Sequence, residues 1–310
     1  MKLIIYNRSI YEKNILIKLL IYRIIFYIIN IHMSIKNILI SNKQFNTLFQ
    51  MDINNNLNIQ KLWKRSNQSK IFYNASKNPN IILKVRNLND VDFYSISSEL
   101  RAFSFIKNSC PNIVKIIKSF VCDQNSNLYE TNKNGIISLC KKNNNKKCIP
   151  LSIIALQYVK GISLNDIIIN IEEFKDIIIQ LYCVFYNLTA YQMEITDTNL
   201  DNIIYENIEE ILNYSLLFGE KYGYVKTYHK ITIIDLDHIK FNINVMLNPL
   251  SINSYIFNKD NYFYKFFNKF INNKYAIKDY ILRLKNFLFD DLNLNNKNPI
   301  HIIEIIRNYN

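Results

Sequence analysis

Two acid-containing motifs in the second half of the chain constrain its fold more than any other feature. Asp197 stands five positions before Asn202, and the apolar run 203–204 follows Asn202 directly. Asp235 ends a second apolar run, 231–234. Carboxylate and amide oxygens are the ligands that Mg²⁺ accepts in proteins. The pattern predicts two short strands, at 203–204 and 231–234, each adjoined by a residue of this kind.

A lysine inside an apolar strand is the next informative feature. Residues 80–85 form a short apolar run that Lys84 interrupts. Burying a lysine is costly unless an acid pairs with it. The segment 97–106 has helical spacing with its apolar residues on one face, and it carries Glu99. We therefore predict an ion pair between Lys84 and Glu99.

The remaining elements follow in a regular order. A hairpin is expected at 61–73, a strand at 119–122 after the segment 111–115, and a further strand with a hinge and helix start at 151–164. A polar, Asn- and Lys-rich stretch, 123–148, is expected to be a long loop. Helices are predicted from Phe174 to Met193, with Ile177, Leu181, Val184 and Leu188 in the core, at 258–267 and at 298–304.

This succession, over roughly residues 60–240, resembles the catalytic core of the protein-kinase superfamily. There the usual motifs are H-R-D-x-x-x-x-N and D-F-G. The Ile-Asp-Leu-Asp sequence at 234–237 and the closing helix at 298–304 are similar in particular to divergent serine/threonine kinases of large DNA viruses, of the poxvirus type. The resemblance implies an α+β, bilobal protein-kinase-like fold, with a small antiparallel-sheet N-lobe and a reduced, mainly helical C-lobe.

The resemblance also implies ATP and Mg²⁺ as cofactors and an ATP-dependent transfer of the γ-phosphate to protein serine or threonine hydroxyls. Asp197 would orient and deprotonate the acceptor hydroxyl, while Asn202 and Asp235 would bind Mg²⁺. Lys84 would contact the α- and β-phosphates and be held by Glu99. The rest of the nucleotide site would comprise Ser66, Ser69, Ile71, Gln157 and Val159.

Several departures from the family pattern leave other functions open. Lys64, Ser66 and Ser69 occupy the three positions of the phosphate-loop glycines, whose backbone N–H groups normally approach the phosphates. Ile195 and Thr196 replace the usual His and Arg, Asn199 replaces a lysine, and no A-P-E-like segment follows. A small-molecule kinase of the aminoglycoside/choline type and a pseudokinase scaffold are therefore alternatives. Asp237 is expected to be a solvated acid, and Asp260 to brace the catalytic loop.

The chain is predicted to have three parts: an N-terminal extension of uncertain role at 1–50, an N-lobe at 51–158 and a C-lobe at 159–310. All the motifs come after residue 57, so the extension is expected to be dispensable for folding and nucleotide binding. The apolar stretch 15–31 carries Lys18 and Arg23, which disfavours membrane spanning and leaves membrane association open.

Composition narrows the partners and the compartment. The net charge of +13 comes from scattered lysines, so no specific nucleic-acid binding is expected, and the partners would be a nucleotide and a protein substrate. The 5 cysteines show no C-x-x-C spacing, which supports neither a zinc site nor a disulfide framework. A reducing compartment follows, namely the cytoplasm, or the host cytoplasm or virion for a viral protein.

Overall fold

The computed structural model describes a large part of the chain after residue 58. The described residues are 59–61, 70–74, 81–87, 96, 98–100, 102–103, 106, 110–122, 129–132, 135–138, 151–197, 199–215, 221–236, 238–241, 243, 245, 249–273, 276–292 and 298–310. Those between 119 and 153 belong to one compact unit, and those in 58–118 and 154–310 belong to another.

A five-stranded sheet occupies the N-terminal part of the described chain. Its strands are β1 Ile59–Lys61, β2 Lys70–Asn74, β3 Ile81–Asn87, β4 Ile116–Cys122 and β7 Leu151–Gln157. They lie in the order β1-β2-β3-β7-β4. Pairing of β1 with β2 and of β2 with β3 is antiparallel, and Ile71 stands opposite Lys84. The predicted hairpin and the predicted lysine strand are thus confirmed.

The polar stretch 123–148 is not a loop throughout, contrary to the prediction. It contains the strands β5 (Tyr129–Asn132) and β6 (Gly135–Ser138), which pair antiparallel as a hairpin. Asn132 pairs with Gly135, and Tyr129 pairs with Ser138. Strands can pair even in a polar sequence, because ladder hydrogen bonds join backbone groups and do not depend on side-chain polarity.

A long helix, α1 (Ile171–Ala190), forms the centre of the hydrophobic core. The side chain of Asn170 accepts a hydrogen bond from the N–H of Glu173, and the Glu173 carboxylate accepts one from the N–H of Asn170. This capping box starts the helix earlier than the apolar spacing predicted. The four predicted core residues, Ile177, Leu181, Val184 and Leu188, are all buried.

Two antiparallel strand pairs follow α1. The short strands β9 (Met193–Ile195) and β12 (Ile239–Phe241) pair with each other. The strands β10 (Ile203–Ser215) and β11 (Lys221–Ile233) form a hairpin with 13-residue strands, and β8 (Ile162–Ser163) pairs with the start of β10. The sequence predicted strands here but not their length, because the distal half of the hairpin is a mixed polar sequence.

Helices and a dense aromatic cluster complete the C-terminal part. Phe174 of α1 packs edge-on against Phe267 and Phe270, and Phe263 packs against Phe267 in the same way. Such edge-to-face contacts add to the apolar burial. The helices are α2 Pro249–Ile256, α3 Tyr262–Asn272, α4 Lys278–Asn286 and α5 Pro299–Asn308, with a π-helical turn at Phe287–Asp291.

The predicted α+β class is confirmed, and the succession of sheet, long helix, strand pairs and helices is the one expected of a kinase-like fold. The closing helix begins as expected, with Asn298 as its N-cap and Pro299 in its first turn. The part boundaries at 50 and 158 stay predictions. Among the described residues no helix is long and apolar enough to cross a membrane, and the stretch 15–31 lies outside them.

Candidate active site

Lys84 lies at the centre of a cluster of charged side chains. Its Nζ is 3.0 Å from Oε1 of Glu99 and 2.8 Å from Oδ1 of Asp235. Arg86 adds a second cation, with an Nη2 3.4 Å from Oε2 of Glu99. The Glu99 side chain is fully buried, whereas that of Asp235 is 27% exposed. The predicted Lys84–Glu99 ion pair is therefore present, and the formal charges of the four groups balance.

Strand alternation explains this arrangement. Successive side chains of β3 point to opposite faces of the sheet. Leu83 and Val85 are buried on one face, so Lys84 and Arg86 share the other. Ser98, Glu99 and the other described residues between 96 and 106 are helical, which confirms the predicted helix there. Sequence reasoning missed Arg86, although its position two residues after Lys84 was the available signal.

The loop with Asp197 is held by short-range hydrogen bonds. Oδ1 of Asp197 accepts from the N–H of Asn199 at 2.9 Å, and Oδ2 accepts from Nδ2 of Asn202 at 2.7 Å. The side chain of Asn199 accepts from the N–H of Asp201 at 3.1 Å, which caps a 3₁₀ turn at Leu200–Asn202. Because Asn202 donates through Nδ2, its Oδ1 is the atom left to ligate a cation.

The hairpin register brings Asn202 next to Asp235. Ile203 stands opposite Ile233, and the N–H of Ile234 donates to the carbonyl of Asn202 at 2.9 Å. Asp235 therefore leaves β11 one residue beyond this bond. Asp197 is thus bonded to Asn202 and Lys84 to Asp235, and the N–H of Ile234, the residue before Asp235, links the two pairs through the carbonyl of Asn202. Their assigned chemical roles stay predictions.

A buried polar network fixes the end of β11 from the other side. The backbone of Asn112 accepts from the N–H of Ile233 at 2.7 Å. Its side chain donates to Oε1 of Gln180 at 2.8 Å and to the carbonyl of Ile231 at 2.7 Å, and accepts from the hydroxyl of Tyr214. Gln180 also accepts from the N–H of Ile231 at 3.0 Å. Sequence reasoning had no signal for this support, because its members lie far apart in the chain.

Ile195 and Thr196, at the two positions that depart from the H-R-D motif, help to hold the loop that carries Asp197. Ile195 is buried in β9 and pairs with Ile239. Thr196 donates to the carbonyl of His238 through its backbone N–H at 2.7 Å and through its hydroxyl at 2.9 Å. These bonds tie the Asp197 loop to the segment that follows Asp235, so a Thr hydroxyl supplies a contact that needs no His or Arg.

The prediction that Asp260 braces the catalytic loop is wrong. Asp260 is exposed, and its N–H donates to the side chain of Asn258. The neighbouring Asn261 is buried, caps α3 and donates from Nδ2 to Oε1 of Glu194 at 3.2 Å. The helix starts at Tyr262, later than the sequence suggested, and this shift places Asn261 at the cap.

The other predicted nucleotide-site residues have mixed positions. Ile71 is half-buried and, being paired with Lys84, lies on the same face of the sheet. Gln157 is exposed, and its N–H donates to the carbonyl of Lys115 at 2.9 Å. Val159 is half-buried against the core. Ser66, Ser69 and Asp237 lie outside the described residues.

The donor set suits Mg²⁺ carried by a nucleotide. Asp235 offers a carboxylate and Asn202 an amide oxygen, both hard ligands. No group of three or more His, Cys, Asp or Glu side chains that could hold a metal occurs in the described part of the chain. Two protein oxygens are the number expected where phosphates and water complete the coordination. Asn202 and Asp235 therefore fit Mg²⁺ that is carried by the phosphates of ATP.

Comparisons with known proteins give only distant similarities. No family model and no curated protein matches the chain. The chain is similar to a Plasmodium kinase domain, with 16% identity and a TM-score of 0.39 over 62% of this chain and 54% of that one. It is also similar to titin kinase with its flanking domains, with 12% identity and a TM-score of 0.39 over 64% of this chain and 29% of that one. The chain thus spans about half of the length of the first of these structures and less than a third of the second.

Proposed function

We propose that the chain is a Mg²⁺-dependent phosphotransferase that uses ATP. The observation that carries the proposal is Lys84, a buried lysine that contacts Glu99 at 3.0 Å and Asp235 at 2.8 Å. A lysine that contacts two acids, one of them partly exposed, can bind an anionic ligand while the exposed acid binds the cation that the ligand carries.

Each side chain of the site has a part in this chemistry. ATP with Mg²⁺ supplies the γ-phosphoryl group and neutralises its charge. Lys84 would bind phosphate oxygens, and Asp235 and Asn202 would hold the cation. Asp197 would orient the acceptor hydroxyl and take its proton. Such a reaction requires mainly positioning and charge placement, which the hydrogen bonds from Asn199 and Asn202 to Asp197 support.

We further propose that the acceptor is a serine or threonine hydroxyl of a protein and that the protein belongs to the divergent viral type, acting in the host cytoplasm or the virion. The Ile-Asp-Leu-Asp motif supports this proposal. Nucleotide and protein substrate would be the partners.

A radiolabelled-ATP assay with autophosphorylation, a generic protein substrate and small alcohols tests the function. Asp197→Asn should lower turnover by about 10²–10⁴-fold, because a general base acts in the transition state, and should leave the Kd for Mg·ATP nearly unchanged. Asp235→Asn should weaken Mg²⁺-dependent binding itself. Asp279→Asn, at an exposed position in the first turn of α4, is the matched control and should behave like wild type.

Each outcome has a definite meaning. Transfer to protein that Asp197→Asn abolishes supports the proposal, whereas transfer to small alcohols alone would favour the aminoglycoside/choline-type alternative. Failure of the wild type to bind nucleotide would refute the assignment of these residues.

A pseudokinase scaffold is the second candidate, and one observation favours it. Both carboxylate oxygens of Asp197 already accept a hydrogen bond, from the N–H of Asn199 and from Nδ2 of Asn202. An acceptor hydroxyl would therefore have to share an oxygen of Asp197 with a donor of the loop itself. Binding of Mg·ATP without transfer to any acceptor would support this candidate.

A further inference from the structure

Glu99 is held by two cations, one on each oxygen of its carboxylate. Oε1 is 3.0 Å from Nζ of Lys84, and Oε2 is 3.4 Å from Nη2 of Arg86. The side chains of Lys84 and Arg86 are each 3% exposed, and that of Glu99 is 0% exposed. All three groups therefore interact at low dielectric, where the attraction between opposite charges is strong.

The charge of Lys84 is divided among several anions. It already contacts Asp235 at 2.8 Å as well as Glu99. In the proposed function the same ammonium group must also bind phosphate oxygens. Each anion added to Lys84 weakens its hold on Glu99, and a fully buried carboxylate without a counter-charge is strongly destabilised.

Arg86 is suited to compensate. Its guanidinium group remains charged at every relevant pH, and its Nη2 lies 3.4 Å from Oε2 of Glu99, the oxygen that Lys84 does not contact. It lies on the same face of β3 as Lys84, because residues two apart in a strand share a face. Glu99 and Arg86 would therefore stay paired when the Lys84 ammonium group contacts a nucleotide.

We propose that Arg86 is a positioning residue that keeps Glu99 neutralised, so that Lys84 can bind the phosphates of ATP. This inference rests on the proposed function and adds a residue that the kinase resemblance did not supply. It predicts that the loss of Arg86 affects ligands with phosphates and spares ligands without them.

The test measures Kd for Mg·ATP and for adenosine by calorimetry on the full chain. Arg86→Met should weaken Mg·ATP about tenfold, equivalent to about 1.4 kcal/mol, and change the Kd for adenosine less than about twofold. Arg86→Lys, which keeps the charge, should restore most of the ATP affinity. Lys175→Met removes another buried lysine, paired with Glu172 at 3.0 Å, and should leave both Kd values unchanged.

A second background isolates the role of Glu99. In Glu99→Gln the carboxylate is gone, so adding Arg86→Met should change ATP affinity less than about twofold. An equal loss in both backgrounds, or equal weakening of ATP and adenosine by Arg86→Met, would overturn the proposal. So would a misfolded Arg86→Met variant that Glu99→Gln does not restore.

Thermal unfolding separates this inference from the proposed function. If the wild type binds neither ligand, the proposed function fails, and the Arg86–Glu99 coupling is read from Tm alone. Arg86→Met should then lower Tm more in the wild-type background than in the Glu99→Gln background, as measured across the four variants of a double-mutant cycle. Equal shifts in the two backgrounds would refute the coupling.

Discussion

Replacing Asn112 by alanine tests how the structure supports the end of β11, from which Asp235 emerges. Asn112 is fully buried, and its side chain makes three hydrogen bonds, to Gln180, Ile231 and Tyr214. Alanine removes all of them and leaves a small cavity. Their partners come from α1, β10 and β11, so the substitution acts where three elements meet.

The magnitude follows from the number of bonds. A buried hydrogen bond contributes about 0.5–1.5 kcal/mol net to the free energy of unfolding. Three bonds therefore predict a loss of about 1.5–4.5 kcal/mol for Asn112→Ala. The backbone bonds between Asn112 and the N–H of Ile233 and between Val114 and the carbonyl of Ile233 survive the substitution. We therefore expect the folded variant to keep its affinity for Mg·ATP.

Urea unfolding measures this effect as a shift of the midpoint at constant m-value. Asn213→Ala is the matched control, because Asn213 is an exposed asparagine beside Tyr214 on β10. It should change the free energy of unfolding by less than about 0.5 kcal/mol. The reasoning is refuted if Asn112→Ala is as stable as this control.

Three further predictions concern local features. Asn170→Ala removes half of the capping box of α1 and should lower stability by about 1 kcal/mol in urea unfolding, with Asn298→Ala at the exposed cap of α5 as a comparison. Tyr205→Phe removes hydrogen bonds to Glu173 (3.0 Å) and His229 (2.7 Å) and should cost about 1–3 kcal/mol; no loss would show that these bonds contribute nothing. Burial raises the pKa of the Cys110 thiol from 9.0 to about 12, so the native thiol stays protonated where the unfolded thiol ionises. The free energy of unfolding should therefore be constant below pH 9.0 and fall as the pH rises from there toward 12. Native Cys110 should also resist thiol-directed labelling at about pH 8, which peptide mass spectrometry can check.

Local sequence patterns were sufficient for much of the candidate site. Lys84 interrupts an apolar strand, and a buried lysine requires an acid, so Glu99 on the next helix could be predicted as its partner. The spacing of Asp197 and Asn202 fits a turn whose hydrogen bonds are all within five residues. Helix α1 could be predicted because its apolar residues recur with the helical period, and its capping box is likewise a local signal.

Other features depend on residues that are distant in the chain. Arg86 interacts with Glu99 only because the helix that carries Glu99 packs on that face of β3. Asn112 meets Gln180, Tyr214 and Ile231, which are 68, 102 and 119 residues away. Asn261 rather than Asp260 contacts Glu194, and this depends on which residue caps α3. The paired strands 129–132 and 135–138 form in a stretch that composition alone assigned to a loop.

The physical reason is the range of the interactions. Turns, helix caps and the periodicity of strands and helices depend on residues that are close together in the chain. The sequence by itself therefore determined the order of the elements and the acids and lysine of the site. Charge compensation by Arg86 and the polar support by Asn112 arise only when separate elements pack and exclude water. Only the tertiary structure could decide these two features, because a buried Arg or Asn side chain must pair with the polar groups that packing brings next to it.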